Sequence, residues 1–234
     1  MAPDPQGTTK AESPEFGGNG FLAADLYDRS SLRGDFLVMI ADQTVEEFLR
    51  RSPKYPFCEF IDGTVYMHAA VTHEHQFDVQ LLIILVGMFN SVREVGILLS
   101  GPALLRLRDD CYLEPDVFVL PLGTKHQEND LTPDPPALLV VEVLSPGTRS
   151  YDLSQKLALY REANAAEVWF IDGRDKVVIV DREAGDGRES LRVESGPIRS
   201  TGLPGFWFDV DWLWADPRPN LMACLNQILA GSPG

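Results

Sequence analysis

The chain has 234 residues, of which 44% are hydrophobic and 24% charged, and its 20 basic and 35 acidic side chains give a formal charge of −15. A chain of this length can bury most of the surface that its unfolded form exposes, so we expect a soluble globular protein. The longest unbroken apolar run, residues 81–89, is far shorter than the roughly 20 residues of a membrane-spanning helix, which excludes a transmembrane protein on this criterion. The acidic balance disfavours sequence-independent binding of nucleic acid, which normally needs a surplus of Lys and Arg.

The three cysteines, Cys58, Cys111 and Cys224, are far apart and form no C-x-x-C pair. An odd number of separated cysteines predicts neither a disulfide framework nor a cysteine-based zinc site. The N-terminus also offers no basic segment followed by an apolar core. We therefore expect a reducing, cytoplasmic setting.

The N-terminal residues are predicted to form a flexible tail. The first twenty residues hold three Pro and four Gly and few aliphatic side chains, so they cannot bury enough surface to offset the entropy of ordering. We assign residues 1–40 to this tail and residues 41–234 to a single domain. The domain begins with a helix over 44–51, because Thr44 and Glu47 form the T-x-x-E pattern of a helix N-terminus.

A hairpin and a long helix are predicted next. Asp62-Gly63 tolerates the positive φ angles of a tight turn and separates two runs of aromatic and β-branched residues, which predicts strands near 57–61 and 64–68. Apolar residues at three- and four-residue steps then predict a largely buried helix over 72–92.

The second half of the chain alternates strand and helix patterns. Segments 95–99 and 103–108 are interpreted as an antiparallel pair, and the uniformly apolar runs 117–122 and 137–144 as central strands covered on both faces. The remaining predicted elements are a loop over 121–136, a helix over about 152–163, strands near 167–171 and 176–181, an edge strand at 189–194 and a closing helix over 219–230. The fold class is α/β, with a mixed central β-sheet flanked by helices.

Three carboxylates lie inside apolar windows: Glu59 in FCEFI, Asp116 in EPDVFVL and Glu142 in LLVVEVL. Charged side chains are rarely buried without a partner, and a single such acid most simply reaches solvent at a strand end or pairs with an Arg. Two carboxylates about 4 Å apart repel by roughly 4 kcal/mol at an effective dielectric constant of about 20. A cluster of three therefore indicates a cation among them, and Mg²⁺ or Mn²⁺ suits carboxylate ligands.

A family resemblance follows from the spacing of these residues. Pro115-Asp116 followed by Glu142 resembles the PD-(D/E)XK nuclease signature, but Leu144 occupies the position of the signature's Lys. A Lys is available on the following helix, where Asp152, Lys156 and Tyr160 recur at four-residue spacing. The succession E-F-I-D-G, H-Q, P-D, V-E-V-L-S-P, D-x-x-x-K-x-x-x-Y and E-V-W-F-I-D resembles the Uma-type restriction endonuclease family of the PD-(D/E)XK superfamily, over about residues 42–214.

This resemblance implies a site and an activity. It implies that Asp116 and Glu142 are metal ligands together with the Val143 carbonyl, that Glu59 is a further acid close to the metal, and that Lys156 orients the attacking water. The implied cofactor is Mg²⁺ or Mn²⁺, and the implied reaction is endonucleolytic hydrolysis of phosphodiester bonds in nucleic acid, with DNA as the expected substrate. A homodimer is expected because double-strand cleavage needs two sites. We expect Lys156→Ala to abolish activity and leave the fold intact.

Other interpretations remain open on the sequence. His75 lies near the site or only caps its helix, Tyr160 supports Lys156 or fills the core, and Glu114 is interpreted as solvated. His73 and His75 are two apart, which disfavours a zinc protease motif. The alternative function is a catalytically inactive module of the same fold, acting in regulation or protein assembly. The absence of a basic patch, with Arg93, Arg106 and Arg108 matched by neighbouring acids, weakens the nuclease hypothesis. The complete set of Asp116, Glu142 and Lys156 argues for it.

Overall fold

The computed structural model describes residues 37–51, 57–68, 71–124, 134–145 and 149–231, all within one unit of the chain, residues 35–234. Its strands are β1 (Leu37–Ile40), β2 (Cys58–Ile61), β3 (Thr64–His68), β4 (Ile97–Ser100), β5 (Leu105–Arg108), β6 (Cys111–Leu113), β7 (Val117–Leu120), β8 (Leu139–Val143), β9 (Glu167–Asp172), β10 (Val177–Ala184), β11 (Gly187–Val193), β12 (Pro197–Arg199) and β13 (Trp207–Asp209). Its helices are α1 (Val45–Arg51), α2 (His73–Arg93), α3 (Arg149–Tyr151), α4 (Leu157–Glu162), α5 (Asp211–Trp214) and α6 (Leu221–Ala230), and a π turn, Asp152–Lys156, joins α3 to α4.

The boundary of the predicted tail is wrong by four residues. Residues 1–36 lie outside the described part of the chain, but residues 37–40 form β1, which pairs antiparallel with β3. The composition argument for a tail came from the first twenty residues. It does not apply to the apolar sequence LVMI, which can complete a sheet by main-chain hydrogen bonding.

The described strands form two main sheets. The larger sheet has the order β11-β10-β9-β8-β7-β4 and the smaller one β1-β3-β2-β6-β5, while β12 and β13 pair separately. All pairs are antiparallel except β8 with β9, which the helical segment α3–α4 connects as a crossover. This mixed sheet flanked by helices is the predicted fold class.

The predicted pairing of segments 95–99 and 103–108 is wrong. β4 pairs with β7 in the larger sheet, and β5 pairs with β6 in the smaller one. The sequence pattern favoured a hairpin because the two segments are adjacent in the chain. Each strand instead takes a partner further along the chain, and β6 was missed because it is only three residues long.

Several local signals of the sequence are confirmed. Asp62 and Gly63 have φ angles of 48° and 81° and close the β2–β3 hairpin. The Thr44 Oγ1 accepts from the Glu47 N–H at 3.2 Å, and the Glu47 carboxylate accepts from the Thr44 N–H at 3.1 Å, so the capping box starts α1. The runs predicted as central strands are β7 and β8, and both are buried along their whole length.

Successive residues of β7 and β8 face two different cores. Val117, Val119 and Val141 face a core that contains α2 and α6. Phe118 and Val140 face a second core, which contains α4 and residues of the smaller sheet. Because side chains alternate along a strand, Glu142 lies on the same face as Val140, beneath the helical segment α3–α4.

Helix α2 is a core helix of the fold. By length and composition alone, its 21 residues could cross a membrane. The length of the longest unbroken apolar run was therefore not sufficient to exclude a transmembrane helix. In the fold, eight of its residues are buried, and its apolar side chains pack on the larger sheet and on α6. The three cysteines are free and buried.

Asp181 of β10 binds α4, the helix that directly follows Lys156. Its buried carboxylate accepts hydrogen bonds from Arg161 of α4, from Arg188 Nε at 2.8 Å and from Ser190 Oγ at 2.6 Å. Burial raises the pKa of Asp181, but the hydrogen bonds from Arg161, Ser190 and Arg188 outweigh it and lower the pKa to about 2.

Asp181→Asn is expected to lower the free energy of unfolding at pH 7 by about 2 kcal/mol. The reason is that the pKa of Asp181 in the folded protein lies roughly two units below its value in the unfolded chain. A depressed folded-state pKa stabilises above the unfolded value, so this contribution is present above about pH 4 and is lost as the pH falls toward about 2. Urea unfolding of wild type, Asp181→Asn and the exposed control Asp186→Asn between pH 2 and 7 measures it. A wild-type advantage that persists unchanged at pH 2 would contradict the assignment.

Candidate active site

The antiparallel pairing of β7 with β8 brings Asp116 and Glu142 together. Val117 pairs with Val141 in the antiparallel register. Asp116, the residue before β7, therefore lies opposite Glu142 on the neighbouring strand. Directly opposite residues of an antiparallel pair have Cβ atoms about 4.5–5.5 Å apart on the same face. The Val143 N–H donates to Asp116 Oδ2 at 2.7 Å, which holds the Asp116 carboxylate at the end of β8.

Lys156 enters this region from the π turn and points inward. Its side chain is 4% exposed, and its Nζ lies 2.8 Å from Glu59 Oε1, 3.1 Å from Glu142 Oε1 and 3.4 Å from Asp152 Oδ1. Burial alone lowers the pKa of Lys156, but the surrounding carboxylates outweigh it and raise the pKa well above its usual value. The side chain is therefore a permanent ammonium ion at the centre of three acids.

The π turn accounts for this concentration of side chains. π turns inside α-helices are rare and often found at functional sites. Asp152 and Lys156, its first and last residues, are both buried, and Tyr151 just before it and Tyr160 one turn after it also reach the acids. The four-residue spacing of Asp152, Lys156 and Tyr160 predicted that they share one face of a helix. In the structure, Lys156 and Tyr160 both bind Glu142.

Glu59 reaches the same ammonium from the other sheet. It lies on β2, its side chain is fully buried, and its Oε1 accepts from the Glu114 N–H at 3.1 Å as well as from Lys156. Its Oε2 accepts from the Tyr151 hydroxyl at 3.0 Å. Both oxygens are occupied, so the geometry favours Glu59 as the counter-ion of Lys156 over the metal-proximal acid that the family resemblance implied.

Two tyrosines complete the environment of the acids. Tyr160 is fully buried and donates from its hydroxyl to Glu142 Oε1 at 2.5 Å, so it both fills the core and supports the site. Burial and the negative charge of Glu142 raise its pKa, which keeps the hydroxyl protonated. Tyr151 stacks on Tyr66 with ring centroids 5.0 Å apart, and Lys156 Nζ lies 5.7 Å from the Tyr151 ring centroid.

Glu142 links the buried cluster to Asp116. Burial raises the pKa of Glu142 well above its usual range, and Lys156 acts in the opposite direction. Asp152, Asp116 and Glu59 raise it further, which places Asp116 within electrostatic reach. Lys156 and Tyr160 both bind Oε1, so the second oxygen of Glu142 is left for another ligand.

His75 lies beside Asp116, which settles one open interpretation. Its Nε2 is 3.3 Å from Asp116 Oδ2, and its side chain is 9% exposed. The helix cap is provided by Thr72, whose hydroxyl accepts from the His75 N–H at 3.2 Å, so the imidazole itself is not the cap. Burial lowers the pKa of His75, but Asp116 and the Val143 backbone outweigh it, and the net pKa is raised.

The donor atoms fit a divalent ion of the Mg²⁺ type. Among the described residues, none donates a hydrogen bond to Asp116 Oδ1 or Glu142 Oε2, and the Asp116 side chain is 23% exposed. The same residues contain no group of three or more His, Cys, Asp or Glu side chains arranged to hold a metal. Two carboxylates and several waters suffice for Mg²⁺, which dehydrates reluctantly.

Glu114 was misinterpreted as a solvated side chain. Its carboxylate accepts from the Cys58 N–H at 3.0 Å and the Phe57 N–H at 3.3 Å, while its own N–H donates to Glu59. It therefore ties β2 to the end of β6. Pro115 beside it gave no indication of this, because the partner strand lies more than fifty residues away in sequence.

The fold, a mixed sheet flanked by helices, is of the restriction-endonuclease-like class. The family model described as "Uma2: Putative restriction endonuclease" matches residues 45–211, and the chain belongs to this family. Among solved structures, a putative nuclease of the DUF820 family from Anabaena variabilis shares 16% sequence identity with this chain. The match has a TM-score of 0.57 and covers 71% of this chain and 96% of that one, which supports the fold. No curated protein matches the sequence.

Proposed function

We propose that the protein is a metal-dependent endonuclease that hydrolyses phosphodiester bonds, with DNA as its substrate. The observation that carries the proposal is the contact of Lys156 Nζ with Glu142 Oε1 at 3.1 Å. Asp116 lies opposite Glu142, since β7 and β8 are paired strands. Family membership supports a nuclease, while the metal, the DNA substrate and internal cleavage belong to the proposal.

The proposed metal ligands are Asp116 and Glu142, with the Val143 carbonyl and waters. A bound Mg²⁺ or Mn²⁺ would lower the pKa of a coordinated water and neutralise charge on the phosphate. Groups of the protein already orient the two carboxylates that would bind the ion. The Val143 N–H orients Asp116, and Lys156 with Tyr160 holds Glu142 by one oxygen.

Lys156 acts as a fixed cation in this proposal. The surrounding carboxylates raise the pKa of Lys156, which favours the ammonium form and a role other than general base. An ammonium in a buried site can donate hydrogen bonds to the attacking water and stabilise negative charge that develops on the phosphate. Glu59 and Asp152 hold it in place.

The net charge of −15 requires local compensation for an anionic substrate. Arg106 and Arg108 do not supply it, because both are paired with neighbouring acids. Among the described side chains, Lys156 is then the main positive charge beside the proposed ion. If these two charges carry most of the attraction for the substrate, added salt should inhibit strongly only when it displaces the ion.

The alternative is an inactive module of the same fold that acts in regulation or protein assembly. Its supporting observation is the burial of Lys156, whose ammonium is surrounded by three carboxylates and is almost closed to solvent. A metal site that binds no ion would favour this alternative. The predicted homodimer and cytoplasmic location are compatible with either function and stay predictions.

Calorimetric titration of Mn²⁺ tests the metal site. Wild type is expected to bind the ion at one site, and Asp116→Ala to lose that binding, because the ion loses one of two carboxylates. Nicking of plasmid DNA with Mg²⁺ or Mn²⁺, run in parallel, should disappear in the same variant. Asp186→Ala, which removes an exposed acid from the β10–β11 turn, is the control for nonspecific binding. Equal binding by wild type and Asp116→Ala would refute the site.

A further inference from the structure

Phe57 is an exposed aromatic residue in an unfavourable backbone conformation. It directly precedes β2, it is 46% exposed, and its φ angle is 68°. Positive φ angles are unfavourable for residues with a Cβ, and they are rare for bulky ones. The other non-glycine residues with positive φ in the described part of the chain are all polar: Asp42, Asp62, Glu94, Asn164 and Lys176. Phe57 is the one hydrophobic member of this group.

Glu114 fixes the backbone of Phe57. One oxygen of its carboxylate accepts from the Phe57 N–H at 3.3 Å, and the other accepts from the Cys58 N–H at 3.0 Å. The Glu114 N–H donates to Glu59 Oε1, which also contacts Lys156. Strained residues persist where the surrounding structure holds them, and they cluster at functional sites. The backbone of Phe57 is thus connected to the buried cluster of the candidate active site.

The same connection places Phe57 beside Asp116. Glu114 is two residues before Asp116 in the sequence, and Cα atoms two residues apart in an extended chain are separated by about 7 Å. The Asp116 side chain is 23% exposed, so this is the side of the site that solvent reaches. Phe57 belongs to neither of the two hydrophobic cores that the described residues form. Its ring is therefore available to a ligand bound at Asp116.

The charge of the protein indicates which part of a nucleic acid the ring would contact. The formal charge is −15, and Arg106 and Arg108 are paired with acids, so phosphate contacts contribute little attraction. Stacking of bases on aromatic side chains contributes affinity without positive charge, and it tolerates any sequence because every base has a π face. An uncharged ring beside the site suits a nucleobase, not a phosphate.

We propose that the Phe57 ring stacks on a nucleobase of the substrate, next to the phosphate bound at Asp116 and Glu142. This inference rests on the proposed nuclease function and adds a contact with the substrate to it. Glu114 holds the backbone that carries the ring, through two N–H contacts. Stacking then fixes the position of the strand, while the metal ligands and Lys156 act on the phosphate.

Steady-state kinetics of plasmid nicking test the stacking contact. Phe57→Ala is expected to raise KM by about tenfold, with little change in kcat, because the contact is made equally in the ground state and the transition state. The ratio of the two KM values should not change with salt, since stacking is not ionic. Phe57→Trp should retain the wild-type KM. Phe77→Ala is the matched control, because Phe77 is a Phe of similar exposure, 55%, on α2.

Two further measurements separate the ring from the backbone and from the phosphates. Phe57→Gly relieves the unfavourable φ angle and removes the ring, so a raised KM in this variant as well assigns the effect to the ring. Single-stranded DNA of about 12 nucleotides should inhibit wild-type nicking at least about tenfold better than an abasic strand of the same length. Phe57→Ala should not distinguish the two strands.

The outcomes separate this inference from the proposed function. If wild type nicks DNA and KM is unchanged in Phe57→Ala and Phe57→Gly, the stacking contact is refuted and the nuclease function stands. Equal inhibition of wild type by the two strands also overturns the contact, and so does a rise in KM of the same size in Phe77→Ala. If wild type does not nick DNA, the proposed function fails together with this inference.

Discussion

Lys156→Met is expected to abolish nuclease activity, by on the order of 10³-fold or more, since it removes the cation proposed to stabilise charge at the phosphate. It is also expected to lower the free energy of unfolding by about 3–5 kcal/mol, because it leaves Glu59, Glu142 and Asp152 buried without their common counter-ion. Plasmid nicking and urea unfolding at pH 7 measure the two effects. The sequence-based expectation of an intact fold in Lys156→Ala is thereby revised.

A loss of activity that comes only from unfolding must be distinguished from a catalytic one. The double variant Lys156→Met/Glu59→Gln removes one buried charge of each sign, so it should recover roughly 1 kcal/mol or more relative to the sum of the single variants. Its activity should stay absent. Lys176→Met removes an exposed ammonium and is the control. Full nicking activity in a folded Lys156→Met protein would exclude the proposed role.

Glu59→Gln is expected to reduce kcat by on the order of 10²-fold and to leave Mn²⁺ affinity unchanged. The amide keeps the shape of Glu59 but loses the charge that holds Lys156 Nζ at 2.8 Å, and small displacements of a catalytic group cost about this factor. Steady-state nicking kinetics and Mn²⁺ calorimetry are the measurements. Glu46→Gln, at an exposed position of α1, is the matched control.

The Mn²⁺ affinity of Glu59→Gln decides between the two roles of this acid. A metal-proximal acid, as the family resemblance implied, would lose affinity together with activity. A counter-ion of Lys156 would lose activity alone, and KM for the nucleic acid would change little because the Glu59 side chain is fully buried. A tenfold or larger fall in Mn²⁺ affinity would therefore return Glu59 to the set of metal ligands.

The site shows which parts of the sequence reasoning were sufficient. Glu59 and Glu142 do converge on a cation, as the presence of acids in apolar windows indicated, because such acids are buried only with a partner. The partner in the structure is the ammonium of Lys156. The electrostatic argument required a cation among the acids, but it could not say whether a metal or a side chain would supply it.

His75 and Glu114 show where that reasoning stopped. Their roles depend on contacts with residues more than forty positions away, Asp116 for His75 and Cys58 for Glu114. No periodicity or local spacing carries such information. The H-Q match of the family resemblance was the available signal for His75, and it indicated proximity without a partner.

The sequence by itself determined four helical segments, near 44–51, 72–92, 152–163 and 219–230, together with the β2–β3 hairpin and the buried character of β7 and β8. Periodicity, caps and turn residues are sufficient for these features because they act over a few neighbouring positions. Tertiary structure decided the partners: β4 with β7, β5 with β6, and Asp116 opposite Glu142. Strand pairing depends on which distant apolar faces bury each other, and that choice is settled only when the whole core packs. The same packing places Glu59 from one sheet and Glu142 from the other around Lys156.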